Sequence, residues 1–169
     1  MLHIVTDGAA DMPPEWEEKY QLHTVPINIQ FGEKTYLQFI DLDFENFYDK
    51  VEETQMVPKT SQPTPHQFVE FYRKIANKGD TILSIHVTSK LSGTYESAVI
   101  AAKEVEDEFN VIPVDSAGGS MGLGFMCRIA REMERAGKSV EDILAYWEKI
   151  KDKVQFILTL DTLEYAKMS

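Results

Sequence analysis

The chain has 169 residues, 43% of them hydrophobic and 27% charged, enough for one domain with a real core or for a domain and the start of another. Its formal net charge of −11 argues against a general nucleic-acid binder and against charge-driven docking on anionic membranes, since phosphate contacts need clustered Lys and Arg. The single cysteine, Cys127, excludes an internal disulfide or a cysteine-based metal cluster, and no stretch reads as a signal peptide or an integral membrane segment, so a cytoplasmic location is expected.

Residues 2–6, Leu-His-Ile-Val-Thr, read as a first buried strand that ends at Asp7-Gly8. Asp11 is positioned to N-cap a helix over 15–20, with Pro13-Pro14 in its first turn. A second strand is predicted over 22–31, where Pro26 marks an edge or a bulge. A Gly32-Glu33-Lys34 turn and a short return strand over 35–39 follow. The next helix covers about 44–54, with Phe44, Phe47, Tyr48 and Val51 at the spacing of one buried face. Asp41, Asp43 and Glu45 lack the glycine and distal glutamate of a calcium loop, so Asp43 is read as an N-cap.

Lys59-Thr60-Ser61-Gln62-Pro63-Thr64-Pro65 is read as a loop into a helix, with Thr64 as N-cap, Pro65 at N1 and Gln67 at N3. Phe68, Phe71, Tyr72 and Ile75 line that helix and Gly79 stops it. Thr60 and Ser61 are left without a structural task. A β-branched strand over 81–88 then runs into Ser89-Lys90-Leu91-Ser92-Gly93-Thr94 and a helix from Tyr95 to about Phe109, with Val99, Ala102, Val105 and Phe109 inward. A strand over 111–114 ends at Asp115-Ser116. The glycine-rich run Ala117 to Gly124 lacks the Gly-Lys-Ser/Thr ending of a P-loop and the spacing of a dinucleotide fingerprint, so close helix packing explains it better. Met126, Ile129, Ala130 and Met133 then face a core. A Ser139-x-x-Asp142 start opens a helix to about Asp152, striped by Ile143, Leu144, Trp147 and Ile150. A last strand is predicted over 154–160, and Asp161-Thr162 begins a helix.

Strands and helices alternate, which predicts an α/β fold with a mainly parallel sheet and helices on both faces. Ligands of such sheets lie beyond the carboxyl ends of the strands. The turns at Thr6-Asp7, Thr88 to Thr94 and Asp115-Ser116 all follow strands. A hydroxyl-rich turn at a helix N-terminus offers free N–H groups, a partial positive charge and hydroxyl donors, which suits a carboxylate or phosphate. The plainer use of Ser92 or Thr94 is to cap its own helix. The four histidines lack paired ligand spacing, so no metal site is expected, and His86 is read as a strand residue.

Ile4-Val5-Thr6-Asp7 with Asp11, Thr60-Ser61-Gln62-Pro63 with Pro65, Ser89-x-x-Ser92-Gly93-Thr94-Tyr95-x-Ser97-Ala98, and Asp115-Ser116 before Ser120-Met121-Gly122-Leu123-Gly124 occur in order. Together they resemble the DegV family of fatty-acid-binding proteins over nearly the whole chain. The ending Asp161-Thr162-Leu163-Glu164-Tyr165 is similar to that family's lead into its second domain. The resemblance implies an α/β domain over 1–153 and, over 154–169, the start of a second domain that is largely absent. It implies a carrier rather than an enzyme. The carrier binds a long-chain fatty acid, needs no cofactor, and in some members serves as the acyl-carrying subunit of fatty acid kinase. There an ATP-binding partner subunit phosphorylates the bound carboxylate for phospholipid synthesis. The carboxylate-binding hydroxyls implied are Thr60 and Ser92, with Ser61, Gly93 and Thr94 beside them and Asp7, Ser89, Asp115 and Ser116 in support. Gly8 stands where family members commonly have Ser, which removes one hydroxyl from the first turn.

Two other classes compete: a phosphotransferase or phosphatase using Asp7 as nucleophile, and a small-anion sensor on the same fold. The first lacks the Asp-x-Asp of haloacid-dehalogenase-type phosphatases, because residue 9 is Ala.

Overall fold

The computed structural model describes residues 1–155, 157, 159 and 163. Contacts divide the chain into two compact units, Met1–Val25 with Pro63–Phe156 and Pro26–Gln62 with Ile157–Ser169.

The first unit is built on a parallel sheet of four strands: β1 (Leu2–Asp7), β2 (Leu22–Val25), β6 (Thr81–His86) and β7 (Asn110–Asp115), in the order β2-β1-β6-β7. Helix α1 (Glu15–Tyr20) connects β1 to β2, and α3 (Pro65–Ile75) precedes β6. After β6 come α4 (Thr94–Glu104), α5 (Ser120–Arg135) and α6 (Val140–Ile150). Side chains alternate across the strands, so the sheet has two apolar faces. Ile4, Leu83 and Ile85 pack with Leu123, Met126, Cys127 and Ala130 of α5 and Ile143 and Trp147 of α6. Val5 and Ile82 pack with Phe68, Val69 and Tyr72 of α3 and Ala98 and Ala101 of α4. This is the expected α/β fold, with helices on both faces. Pro113 sits in edge strand β7. Asn110 N–H bonds Asp80 and Ser116 N–H bonds His86, so even-numbered amides face β6 and the missing N–H of Pro113 falls on the open edge.

The second unit holds an antiparallel sheet in the order β4-β3-β5, made of β3 (Asn28–Phe31), β4 (Lys34–Leu37) and β5 (Lys59–Ser61), with α2 (Phe44–Thr54). Its core is Ile29, Phe31 and Leu42, joined by Phe47 and Val51.

Several local expectations change. The strand predicted over 22–31 is two strands in two different sheets, because Pro26 at its centre supplies no N–H to continue a ladder. Tyr48 is 65% exposed, so the inward face of α2 is Phe47 and Val51; the side chain of Phe44 lies outside the described ones. Asp11 does not cap α1, which begins after Pro14 without a side-chain cap; its carboxylate accepts from Ser120 Oγ at 2.6 Å. Helix α4 ends at Glu104, and its buried face is Thr94, Ser97, Ala98 and Ala101, with Val99 and Ala102 only half-buried. In the glycine-rich run the expected close packing is met inside α5, at Gly124, where a Cβ would lie 2.5 Å from Met12 Cγ and 3.2 Å from the Asp11 carbonyl. The strand predicted over 154–160 and the helix begun at Asp161-Thr162 fall largely outside the described residues.

Candidate functional site

The chain order reverses across the sheet of the first unit. From β1 it passes to β2 on one side, then returns to β6 on the other. The crevice between the carboxyl ends of β1 and β6 is therefore the topological switch point, where open α/β sheets bind ligands. Asp7 ends β1 and His86 ends β6.

These two residues meet in a fully buried polar chain. Asp7 Oδ2 lies 3.0 Å from His86 Nδ1 and accepts the Val87 N–H at 3.0 Å, while Oδ1 accepts the Ala9 N–H at 2.9 Å. His86 Nε2 is 2.7 Å from Ser84 Oγ, which is 2.8 Å from the Tyr72 hydroxyl on α3. All four side chains are inaccessible, and the Phe68 ring meets the His86 ring edge-on at 5.0 Å. Burial pushes the Tyr72 hydroxyl pKa well up, against the smaller lowering by Ser84, so Tyr72 keeps its proton. A nucleophilic Asp7 would need an oxygen open to an incoming phosphorus. Asp7 is 0% exposed with both oxygens engaged, so the phosphotransferase expectation fails here.

The turn after β6 is built on this end of the strand. Thr88 N–H bonds the Gly118 carbonyl, and Ser92 N–H bonds the Thr88 carbonyl. Asp115, at the end of β7, accepts the Ser89 hydroxyl at 2.6 Å, the Ser89 N–H at 3.2 Å and the Ala117 N–H at 2.8 Å. Burial alone would push the Asp115 carboxyl up; the donations from Ser89, Ala117 and Thr88 outweigh it and hold the pKa below the ordinary range. Ser116 is buried, and its hydroxyl bonds the Gly118 carbonyl at 3.1 Å. Ala117 and Ser120 both carry positive φ, at 55° and 53°. Non-glycine residues seldom adopt that region, and such backbone collects at binding loops.

Ser92, Gly93 and Thr94 open α4. Gly93 is the N-cap residue and has no side chain with which to cap this helix. Ser92 Oγ is 2.9 Å from Thr94 Oγ1 and accepts the Thr94 N–H at 3.3 Å. By contrast α2, α3 and α6 are capped by Asp43, Thr64 and Ser139, the last two in capping boxes. Beyond the Thr94 N–H that Ser92 takes, the α4 terminus therefore presents its first turn and two adjacent hydroxyls on the carboxyl edge of the sheet.

Thr60 and Ser61 belong to the second unit. They form the exposed strand β5, where Thr60 pairs with Ile29 and Ser61 with Asn28, so the expected loop has a backbone task in an antiparallel ladder. The first unit thus brings together Asp7, Ser89, Ser92, Gly93, Thr94, Asp115 and Ser116 on one edge. Ser84, His86 and Tyr72 join this edge without having been expected there. The signal for the first two is the strand period, which puts Ser84 and His86 on one face; Tyr72 is hidden in an apolar helix stripe. Among the described residues no cluster of His, Cys, Asp and Glu could hold a metal ion, and no helix is long and apolar enough to cross a membrane.

Comparison with known proteins follows the same lines. A family profile described as "Uncharacterised protein, DegV family" matches residues 1–168. Protein DegV of Bacillus subtilis (strain 168) is 36% identical over 165 residues, covering 97% of this chain and 58% of its own length. The crystal structure of DegV from Bacillus subtilis, described as a fatty acid binding protein, superposes with a TM-score of 0.82 at 36% identity, covering 89% of this chain and 54% of that one. A Thermotoga maritima protein whose structure is described as revealing fatty acid binding function gives a TM-score of 0.78 at 34% identity, covering 90% and 56%. The chain thus spans little more than half the length of these relatives. In fold, in ordered motifs and in matched length, this chain belongs to the DegV family.

Proposed function

We propose that this chain binds a long-chain fatty acid by its carboxylate and acts as a carrier, not an enzyme. The observation that carries the reading is the N-terminus of α4, whose N-cap Gly93 offers no side chain, with the Ser92 and Thr94 hydroxyls beside it at the switch-point edge of the sheet. Neutral hydroxyl and amide donors with a helix dipole hold a carboxylate without a buried cation opposite it. The mutual bond of the Ser92–Thr94 hydroxyl pair uses one of its two hydrogens and leaves the other to turn toward an arriving acceptor, because hydroxyl hydrogens rotate to suit. The fatty acid binding described for the Bacillus subtilis and Thermotoga maritima relatives supports the same ligand.

In this proposal Ser92, Gly93 and Thr94 of the first unit take the carboxylate, and Thr60 and Ser61 stay as the further hydroxyls that the family resemblance implies. Ser89, Asp115 and Ser116 hold the turn in shape. A partner kinase subunit in the cytoplasm supplies ATP and phosphorylates the presented carboxylate. The carrier contributes no nucleophile, no metal and no cofactor; its work is to hold the carboxylate, orient it and keep the acyl chain out of water.

Titration with palmitic acid and with a soluble phosphoester tests the reading. Palmitate should bind and the phosphoester should not. Ser92→Ala with Thr60→Ala should weaken palmitate binding by about tenfold or more per lost hydroxyl while leaving the melting profile in place, since a hydrogen bond to a charged group contributes roughly 1.5–3 kcal/mol. Unchanged affinity in the double variant would remove these hydroxyls from the carboxylate site.

A further inference from the structure

The buried chain Asp7–His86–Ser84–Tyr72 has no counterpart in what the fatty-acid reading requires. Its side chains are all inaccessible. Buried polar groups are costly unless satisfied, and apolar residues of similar volume would fill this core with no such demand. What the chain does have is a position. It joins the ends of the two strands that flank the switch point, and it ends on the backbone of Val87, the residue from which the Ser89–Thr94 turn departs.

The donor directions follow from the hydrogens available. Tyr72 has one hydroxyl hydrogen, and Ser84 Oγ lies at 2.8 Å from its oxygen. If Tyr72 donates to Ser84, Ser84 donates to His86 Nε2, and His86 Nδ1–H donates to Asp7. Every hydrogen is then used, and all three links point toward the Asp7 carboxylate. The reverse order leaves the Tyr72 hydrogen without this acceptor. Asp7 thereby collects three donors, from His86 Nδ1 and from the amides of Val87 and Ala9. Two of these are backbone amides of different loops. One carboxylate thus fixes the exit of β6 relative to the exit of β1.

We infer that Asp7, oriented by His86 through Ser84 and Tyr72, is the positioning anchor of the Ser89–Thr94 turn and sets the placement of the hydroxyls that take the carboxylate. The role rests on the fatty-acid reading for its purpose but not for its test. All four side chains of the anchor are inaccessible, so it acts through the backbone of Val87.

Amide hydrogen exchange on the ligand-free protein reads the anchor directly. Asp7→Asn swaps one accepting oxygen for an NH₂ group. Exchange at residues 88–94 should quicken by about tenfold or more relative to core amides such as Ile4 and Leu83, as local opening is released from the global one. The same variant should bind ¹³C-carboxyl palmitic acid about tenfold more weakly and shift its carboxyl resonance. His86→Leu should loosen the turn likewise. His86→Asn, which retains an N–H near the place of Nδ1, should recover most of the turn's protection, and this pair carries the test if Asp7→Asn fails to fold. The proposal is overturned if the turn amides of Asp7→Asn quicken no more than the core amides, or if His86→Asn and His86→Leu exchange alike. Absence of palmitate binding by the wild-type protein would instead defeat the fatty-acid reading, while the exchange data would still decide the anchor.

Discussion

The direction of hydrogen bonding in the buried chain makes a stability prediction with a sign. Ser84→Ala removes an oxygen that serves both the Tyr72 hydroxyl at 2.8 Å and His86 Nε2 at 2.7 Å. Both groups are fully buried, so neither recovers a partner from water. At about 1–3 kcal/mol for each orphaned group, the variant should lose roughly 2–6 kcal/mol. That is a large part of the roughly 5–15 kcal/mol that stabilises a typical domain. Tyr72→Phe removes only a donor. Ser84 still donates to His86, so the loss is one net hydrogen bond, about 0.5–1.5 kcal/mol. The double variant should cost no more than Ser84→Ala alone, because the phenylalanine ring carries no hydroxyl to orphan. Urea unfolding at neutral pH, followed by circular dichroism and by tryptophan fluorescence, measures all three. A Tyr72→Phe variant as unstable as Ser84→Ala, or a double variant equal to the sum of the singles, would refute the assigned directions.

Three further outcomes are expected. Asp115 has its pKa depressed in the folded protein by donations that outweigh its burial, so its stabilising contribution is present above the unfolded carboxylate value of about 4 and is lost as pH falls through the lower folded value; Asp115→Asn should lower stability at neutral pH and flatten the acid limb of the pH–stability curve, and an unchanged limb would contradict the assignment. Burial, aided by the Asp7 charge and opposed by the Thr6 hydroxyl, pushes the Cys127 thiol up to about 12, so a thiol reagent at neutral pH should label the protein only after denaturant is added. Gly124→Ala places a Cβ against Met12 and the Asp11 carbonyl and should cost about 1–3 kcal/mol in chemical denaturation, opposed by a helix-propensity gain of roughly 1 kcal/mol; net stabilisation would show that the α5 contact is looser than the distances imply.

Much of the fold is legible because its signals are local. The capping boxes of α3 and α6, the Asp43 cap and the β-branched run of β6 all depend on residues a few positions apart. Pro26 is visible as an interruption from its residue type alone. What it interrupts is a tertiary fact: residues on either side pair with β1 in one sheet and with β4 and β5 in another. Thr60 and Ser61 look like loop residues because a strand of three exposed residues has no periodicity to read. Tyr48 falls at helical spacing with Phe47 and Val51, yet the small core of the second unit is filled without it. The Ser92–Thr94 turn is visible through its residue types, and its setting through the alternation of strands and helices. The buried anchor is not visible. Asp7 and His86 are 79 positions apart, and only the pairing of β1 with β6 brings them together.

The most direct test of fatty acid binding is mass spectrometry of the purified protein, first under native conditions and then after organic extraction. The account predicts a co-purifying or added long-chain fatty acid at about one per chain, lost on Ser92→Ala with Thr60→Ala. A protein that is empty as purified and takes up no added fatty acid would contradict it.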